Sequence, residues 1–286
     1  MKILLAGCGD IGQGVAAKLA PSYQCFGLRR SAFVFSDRIT PLAGDLTDQK
    51  RIAALFDEKF DVVVATLTPK SRSEAAYNKA YVETSEVLRT VINQATYQPK
   101  LVIWISSTSV FGEHSSGWMD ESSPTRPTSF SAQALLKAER NIDELRCKHI
   151  VIRFSGIYGP GRSRLISEVE RGIGRPAKPE YWTNRIHTED CASVIVHLID
   201  AWLANSPLES LYIATDCEPV TQHNLRKWLA EKIGVRLTEQ HSEKGLRRCL
   251  SNKRLVQTGY QFIFPTYQEG YQSLLKGIGK QLNKPG

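Results

Sequence analysis

The sequence predicts an α/β protein with a doubly wound parallel sheet, followed by a smaller C-terminal α+β part. Short apolar runs alternate with helical patterns through the first half of the chain. These runs are apolar on both faces, as expected of parallel strands that are covered by helices on both sides. A glycine-rich turn joins the first apolar run to the first helical pattern. Repeated β-α units of this kind form a single twisted sheet with right-handed crossovers.

The elements of the first half follow from these patterns in order. Strands are predicted at 2–6, 24–28, 39–43, 61–66 and 100–106. Helices are predicted between them at 11–20, 48–58 and 72–97. Pro41 weakens the third strand and indicates an edge position, because proline cannot donate a ladder hydrogen bond.

The second half is less regular. A helix at 131–147 precedes a strand at 149–159, and glycine and proline make residues 172–185 loop-like. Beyond them the pattern predicts a helix at 188–204, a strand at 210–216, a helix at 221–233 and more helix near the C-terminus.

The composition is that of an ordinary globular protein and narrows the range of partners. The chain has 286 residues, a net charge of +8, 42% hydrophobic and 23% charged residues. Its basic residues are scattered, with only short pairs such as Arg247–Arg248, so we do not expect nucleic-acid binding. The charge is that of a solvated mixed surface or of a site for an anionic small molecule.

The sequence also bears on location and metals. No apolar run is long enough to span a bilayer, and Asp10 with its neighbouring glycines interrupts the N-terminal run too early for a signal peptide. We therefore expect a cytoplasmic protein without membrane contact. None of the six cysteines forms a C-x-x-C pair, so no metal site is predicted and reduced thiols are expected.

The glycine-rich turn has the spacing of a dinucleotide-binding loop. Gly7, Gly9 and Gly12 form G-x-G-x-x-G directly after a strand and at the start of a helix. In such loops the first glycine permits a tight turn, the second lets the backbone approach a pyrophosphate, and the third lets helix and strand pack closely. The helix N-terminus attracts the anion. The alternative is a glycine-rich turn without a ligand.

The residues after the second strand favour NADP over NAD. NAD-binding proteins place a carboxylate there to bind the ribose 2′-hydroxyl, whereas this chain has Arg29 and Arg30 and no acid nearby. Arginines suit the 2′-phosphate of NADP. The alternative is that both arginines face solvent.

Several segments together resemble the extended short-chain dehydrogenase/reductases of the NAD-dependent epimerase/dehydratase type. The similarity covers nearly the whole chain and rests on AGCGDIG, AGDLTD, VVVATL, ISSTSVFG, RFSGIYGPG, NRIHTEDCA and LSNKRLVQTGYQFIFP. It implies a Rossmann-type core in residues 1–160. It also implies a mostly substrate-binding part in 161–286, of which about 185–216 returns to the core. Relatives dimerise through helices equivalent to 72–97 and 131–147, so the resemblance implies a homodimer.

The resemblance also implies individual site residues. Ser107 matches the catalytic serine, although a hydroxyl that caps the backbone is the alternative at this position. Besides the two arginines, the implied cofactor contacts are Gly7, Gly9, Asp10, Ile11, Gly12, Asp45, Leu46, Ala65, Thr66 and Phe154.

The family's usual proton-transfer pair is missing from the expected helix. In this family a tyrosine exchanges a proton with the substrate, and a lysine four residues later lowers its pKa, while hydride is exchanged with the nicotinamide. The segment SFSAQALLKAER contains no Tyr-x-x-x-Lys. One register gives Lys137 the lysine role and Gln133 the tyrosine role. The other matches the family's glutamate to Glu139 and gives these roles to Leu135 and Ser131.

Helical periodicity favours the second register. In the family, apolar residues follow the lysine position at +3, +7 and +10 on one buried stripe. Counted from Leu135, these positions hold Ala138, Ile142 and Leu145. Counted from Lys137, they hold Arg140, Glu144 and Cys147, and burying two charged residues would be costly. We therefore expect Lys137 to lie off the buried face and to be exposed to solvent.

The chain thus resembles atypical members of the superfamily that keep the cofactor fold and lose the dyad. Other residues considered for proton transfer, each with a structural alternative, are Tyr158, His187, His114, Asp120 and Glu121. The sequence favours an NADP-dependent oxidoreductase, epimerase or dehydratase that acts on an unidentified small polar substrate. The rival hypothesis is a cofactor-binding sensor or regulatory protein without turnover.

Overall fold

The computed structural model describes residues 1–31, 38–243 and 245–282. The strands are β1 (Lys2–Ala6), β2 (Gln24–Arg29), β3 (Ile39–Ala43), β4 (Val62–Ala65), β5 (Leu101–Ser107), β6 (Ser116–Met119), β7 (Lys148–Phe154), β8 (Gly156–Tyr158), β9 (Ile173–Gly174), β10 (Trp182–Thr183), β11 (Arg185–His187), β12 (Leu211–Ala214), β13 (Val220–Thr221), β14 (Thr238–Glu239) and β15 (Arg247–Leu250). The α-helices are α1 (Asp10–Leu19), α2 (Gln49–Leu55), α3 (Glu74–Tyr77), α4 (Thr84–Gln94), α5 (Phe130–Asp143), α6 (Arg164–Glu170), α7 (Thr188–Leu203), α8 (Gln222–Ile233), α9 (Lys253–Gln257) and α10 (Tyr267–Leu282).

A seven-stranded sheet with the order β12-β7-β5-β4-β1-β2-β3 forms the centre of the fold. Every neighbouring pair from β3 to β7 is parallel. This arrangement confirms the predicted doubly wound α/β fold. β3 lies at the edge and pairs Pro41 with Gly27, so the edge position inferred from the proline is confirmed.

The central strands are buried because helices cover both faces of the sheet. All four residues of β4 are buried, as are the first six of β5. The largest core cluster joins sheet residues such as Val63 and Trp104 to helix residues such as Leu88 and Ala138. Burial on both faces explains why these strands read as continuous apolar runs in the sequence.

The structure differs from the predicted elements in several places. The helix predicted at 72–97 is interrupted by a π-helical turn, Asn78–Glu83, and Thr84 Oγ1 at the start of α4 donates to the Lys79 carbonyl over 3.2 Å. The strand predicted at 149–159 breaks at Ser155, whose N–H donates to Ala214 O. The loop predicted at 172–185 contains the two-residue strands β9 and β10. These features depend on tertiary partners that local sequence patterns do not encode.

The described chain divides into two compact units. The first comprises Met1–Gly112, Pro124–Phe154 and Ala192–Tyr212, and the second comprises Glu113–Ser123, Ser155–Cys191 and Ile213–Gly286. The division of function at residue 160 stays a prediction. A second core cluster, which includes Val169, Leu225 and Tyr271, lies within the second unit. None of the helices in the described ranges is long and apolar enough to cross a membrane.

Candidate functional site

A cavity of about 420 Å³ opens in the first unit at the carboxyl ends of the parallel strands. This is the edge at which doubly wound sheets bind ligands. Its walls come from the glycine turn after β1, the end of β2, the turn after β3, the segment after β4 and the π-helical turn. Of the residues predicted to bind the cofactor, those that line it are Gly7, Gly9, Arg29, Arg30, Asp45, Leu46 and Thr66.

The remaining predicted residues lie elsewhere. Asp10, Ile11 and Gly12 form the first turn of α1, and Ala65 and Phe154 are the buried last residues of β4 and β7. None of these five is a lining residue of the described cavity. Asp10 Oδ1 accepts the Ile11 N–H over 2.9 Å, and a carboxylate at this end stabilises a helix dipole.

The backbone of the turn requires glycine. Gly7 has a φ of +77°, and a Cβ there would lie 2.8 Å from the Thr66 carbonyl oxygen. A Cβ on Gly12 would lie 3.1 Å from Thr66 Oγ1, so α1 approaches the end of β4 closely. Thr66 Oγ1 in turn donates to Gly7 O over 3.0 Å. The turn is therefore held in a tight conformation that brings backbone, without side chains, to the cavity.

The end of β2 brings positive charge to the cavity. Arg29 is half-buried, Arg30 is exposed, and both line the wall. Lys70 and Lys79 line it as well, and the motifs did not identify them. The one sequence signal for these lysines was their position after β4, because residues that follow a parallel strand lie near the carboxyl-end edge of the sheet.

Asp45 is an acidic residue of this wall and is ion-paired. Lys79 Nζ lies 3.1 Å from Asp45 Oδ2, and the N–H and hydroxyl of Thr47 both donate to Asp45 Oδ1. Burial raises the pKa of Asp45, but these hydrogen bonds and the lysine charge outweigh burial and hold the pKa below its usual value. The carboxylate is therefore ionised at neutral pH.

The helix α5 confirms the periodicity inferred for the dyad region. Leu135, Ala138, Ile142 and Leu145 are all buried. The Lys137 side chain is 61% exposed and its Nζ lies 3.6 Å from Glu86 Oε1. Lys137 is thus a surface residue, as expected. In the whole 286-residue sequence, no tyrosine is followed four residues later by a lysine.

Glu139, the residue matched to the family's glutamate, is buried and paired. Its carboxylate accepts two hydrogen bonds from the Arg153 guanidinium, at 3.0 and 2.7 Å. Ser106 Oγ donates to the same carboxylate over 2.5 Å. This network fixes the end of β5, whose last residue is Ser107.

Ser107 makes the backbone contact that was its alternative interpretation. Its Oγ accepts the Ser109 N–H over 3.2 Å at the start of a 3₁₀ turn. The hydroxyl proton of Ser107 is not used in that contact, so the side chain retains a donor. Its catalytic role stays a prediction.

The other candidates for proton transfer differ in exposure. Tyr158 and His187 are buried, whereas His114 and Asp120 are exposed. Asp120 Oδ1 accepts from Ser122 and Ser123, and Glu121 Oε1 accepts the Ile213 N–H. Asp120 therefore stabilises its own turn, and Glu121 binds the backbone of β12.

The parallel sheet, the glycine turn and the basic cavity define a Rossmann-type nucleotide-binding protein. A model of the RmlD substrate binding domain family matches residues 1–254. The chain therefore belongs to this family, among the NAD-dependent epimerases/dehydratases of the extended short-chain dehydrogenase/reductases, as the motifs indicated. The family sets the general kind of activity, which is NAD(P)-dependent epimerase or dehydratase chemistry.

Solved structures agree with this assignment. A protein from Methylobacillus flagellatus, assigned to the NAD-dependent epimerase/dehydratases, is 35% identical over 97% of this chain and 98% of its own, with a TM-score of 0.82. UDP-glucose 4-epimerase from Thermotoga maritima, solved with UDP-glucose, has 18% identity over 99% and 100% of the chains and a TM-score of 0.81. UDP-glucuronic acid 4-epimerase from Bacillus cereus, solved with NAD, has 18% identity over 99% and 100% and a TM-score of 0.79. The last two show a likeness of fold alone. No curated protein matches the chain.

Proposed function

We propose that this protein binds NADP(H) in preference to NAD(H), with Arg29 and Arg30 holding the 2′-phosphate. The observation that carries the proposal is that both arginines line the same cavity as Gly7 and Gly9. The glycine turn is where a pyrophosphate approaches the backbone, and the end of β2 is where the adenosine ribose lies in this fold. The residues after Leu28 are Arg29, Arg30 and Ser31, so none of these three carries a carboxylate.

The charge of the cavity supports this preference. An acid at this position hydrogen-bonds the 2′-hydroxyl of NAD and repels a phosphate, whereas arginine forms charge-assisted hydrogen bonds with phosphate. Four basic side chains are among the described lining residues, Arg29, Arg30, Lys70 and Lys79, together with the carboxylate of Asp45. The excess of positive charge suits a cofactor that carries an additional phosphate. The proposal departs from the NAD dependence attributed to the Methylobacillus flagellatus relative.

Isothermal titration calorimetry with NADP⁺ and NAD⁺ tests the proposal. We expect tighter binding of NADP⁺ by the wild type. The double variant Arg29→Gln/Arg30→Gln should lose most of the preference and keep its NAD⁺ affinity, because the glycine turn is unchanged. Arg236→Gln, which removes an exposed arginine of the other unit, is the matched control and should change neither affinity. Equal or tighter binding of NAD⁺ by the wild type would contradict the proposal.

We further propose that any turnover of a small polar substrate proceeds without the usual tyrosine and lysine. We infer from the helix periodicity that Ser131 and Leu135 occupy their positions. A serine hydroxyl is a poor base without an activator, and leucine carries no charge. Ser107 is the group we expect to hydrogen-bond the substrate, because it is the last residue of β5, whose end resembles the family's active site.

A cofactor-binding sensor without turnover is the second candidate, and the missing dyad favours it. Product formation from a panel of nucleotide-linked sugars and other carbonyl compounds, followed together with NADPH oxidation, distinguishes the two, because epimerases and dehydratases return the hydride and consume no net NADPH. Turnover that Ser107→Ala lowers at least tenfold, with NADPH affinity unchanged, supports the enzyme. Tight NADPH binding without turnover of any tested compound supports the sensor.

A further inference from the structure

A cluster of buried polar atoms in the second unit lacks hydrogen-bond partners in the described protein. The atoms are Tyr158 Oη, Arg185 Nε, His187 Nε2 and Asp216 Oδ2. The residues Tyr158, His187 and Asp216 are only 2%, 4% and 2% exposed. A buried polar atom without a partner costs free energy, so native structures rarely leave one unsatisfied. Four such atoms in one place therefore point to a polar partner.

The four side chains are neighbours because their backbones are joined. β8 pairs in parallel with β11, which puts Tyr158 opposite His187 and Arg185 opposite Gly156. Arg185 and His187 are two residues apart, so their side chains lie on the same side of β11. The Asp216 N–H donates to the Arg185 carbonyl over 2.6 Å, which brings the segment after β12 to the same place.

Aromatic rings enclose the cluster. The rings of Tyr158 and His187 meet edge to face at 5.3 Å, and Tyr158 stacks on Tyr271 at 4.4 Å. Arg185 Nη1 donates to Tyr271 Oη over 3.0 Å. A Cβ on Gly270 would overlap the Tyr158 hydroxyl, so the backbone of α10 closes this side tightly. These contacts pack the aromatic rings and the backbone of α10 closely around the cluster.

The arginine and the carboxyl group interact without touching. Burial raises the pKa of Asp216 to about 8, and attraction to the Arg185 charge opposes that rise. Among the ion pairs of the described residues, none joins Arg185 directly to Asp216. The two groups therefore lie close enough for their charges to interact, without a direct ion pair between them.

The hydrogen-bonding capacities of the four atoms indicate which kind of partner fits them. His187 Nδ1 accepts the Glu189 N–H over 3.2 Å, which places the ring proton on Nε2 as a donor, and burial lowers the pKa of His187 so that the ring stays neutral. Arg185 Nε is also a donor. Asp216 Oδ2 accepts when the carboxyl group is ionised and can donate when it is protonated, which a pKa of about 8 favours at neutral pH, and the Tyr158 hydroxyl does both. A molecule that accepts and donates in several directions satisfies this set.

We propose that Tyr158, Arg185, His187 and Asp216 form a binding site for buried water, which bridges the arginine to the carboxyl group. Water accepts two hydrogen bonds and donates two, and buried waters typically make about three bonds to otherwise unsatisfied groups. At about three hydrogen bonds for each water, the four polar atoms call for on the order of one or two such molecules. The water links β8, β11 and the segment after β12, in addition to the direct hydrogen bonds.

A high-resolution crystal structure combined with matched tyrosine variants tests this site. We expect a density peak within hydrogen-bond distance of at least two of the four atoms. Tyr158→Phe should raise the unfolding equilibrium constant about fivefold, because it removes a hydrogen bond to water. Tyr260→Phe is the control, since the Tyr260 hydroxyl donates to Asp190 Oδ1 over 2.8 Å, and it should be destabilised to a similar extent.

The remaining outcomes overturn the proposal. If the site is dry, no density appears and Tyr158→Phe is as stable as the wild type or more stable, because an unsatisfied hydroxyl has been removed. If a crystal soaked in sodium bromide gives an anomalous peak at the cluster, the ligand is a small anion attracted by Arg185. Direct hydrogen bonds among the four atoms in the crystal would also exclude a water site.

Discussion

Replacing Lys137 with alanine tests whether α5 carries a residual cofactor lysine. The Lys137 side chain is 61% exposed, and its ammonium group lies 3.6 Å from a Glu86 carboxylate that is 43% exposed. An exposed ion pair of this kind contributes about 0–1 kcal/mol, so Lys137→Ala should lower the stability by less than about 1 kcal/mol. Since the residue lies off the buried stripe, we expect the NADP⁺ dissociation constant to change by less than about threefold, because a larger change needs a lost contact of roughly 0.7 kcal/mol or more.

Calorimetric titration of NADP⁺ into the variant and the wild type measures this. Arg140→Ala, another exposed basic residue of α5, is the matched control for a general loss of positive charge. A lysine that binds the cofactor ribose would form a charge-assisted hydrogen bond worth about 1.5–3 kcal/mol, which is more than tenfold in affinity. A loss of tenfold or more in Lys137→Ala alone would refute the register in which Leu135 takes the lysine position.

Three other predictions concern the turn, the buried ion pair and the buried acid. Gly7→Ala should abolish cofactor binding by calorimetry, because the residue needs a φ of +77° and a Cβ would collide with the Thr66 carbonyl. Glu139→Gln should destabilise the fold by about 3–5 kcal/mol in urea, since it leaves the Arg153 guanidinium buried without its counter-charge; an unchanged midpoint would contradict this. The pKa of Asp216 is about 8 in the folded protein, against an ordinary value of 3.8. The stabilisation that its protonated form gives the folded state is therefore fully present below about pH 4 and is lost as the pH rises towards 8. The wild type should therefore lose up to roughly 5 kcal/mol over this range relative to Asp216→Asn, and parallel stability curves would refute the shift.

The features that the sequence predicted correctly depend on residues close together in the chain, through backbone conformation, helical period and hydrogen-bonding capacity. The spacing of Gly7, Gly9 and Gly12 implies a tight strand-to-helix turn because few other residues tolerate such a backbone. The exposure of Lys137 followed from the 3.6-residue period, since a charged residue and a buried stripe cannot share one helix face. The edge position of Pro41 followed from its missing N–H.

The features that were missed depend on residues far apart in the chain. β6 pairs with β15 in parallel, and Ser116 lies opposite Arg247, more than a hundred residues away. The π-helical turn places Lys79 on the cavity wall, where its partner is Asp45, and helical periodicity alone does not reveal the extra residue in that turn. Such contacts are set by tertiary packing and become visible only when the chain is folded.

A crystal structure of the protein with NADP⁺ bound tests the central claim most directly. We expect the pyrophosphate at the Gly7–Gly9 turn and the 2′-phosphate within hydrogen-bond distance of the Arg29 or Arg30 guanidinium. We also expect the side chain of Lys137, the one lysine of α5, to lie away from the nicotinamide ribose. A 2′-phosphate that points into solvent away from both arginines would contradict the proposed NADP site. A Lys137 side chain on the ribose would contradict the proposed register of α5.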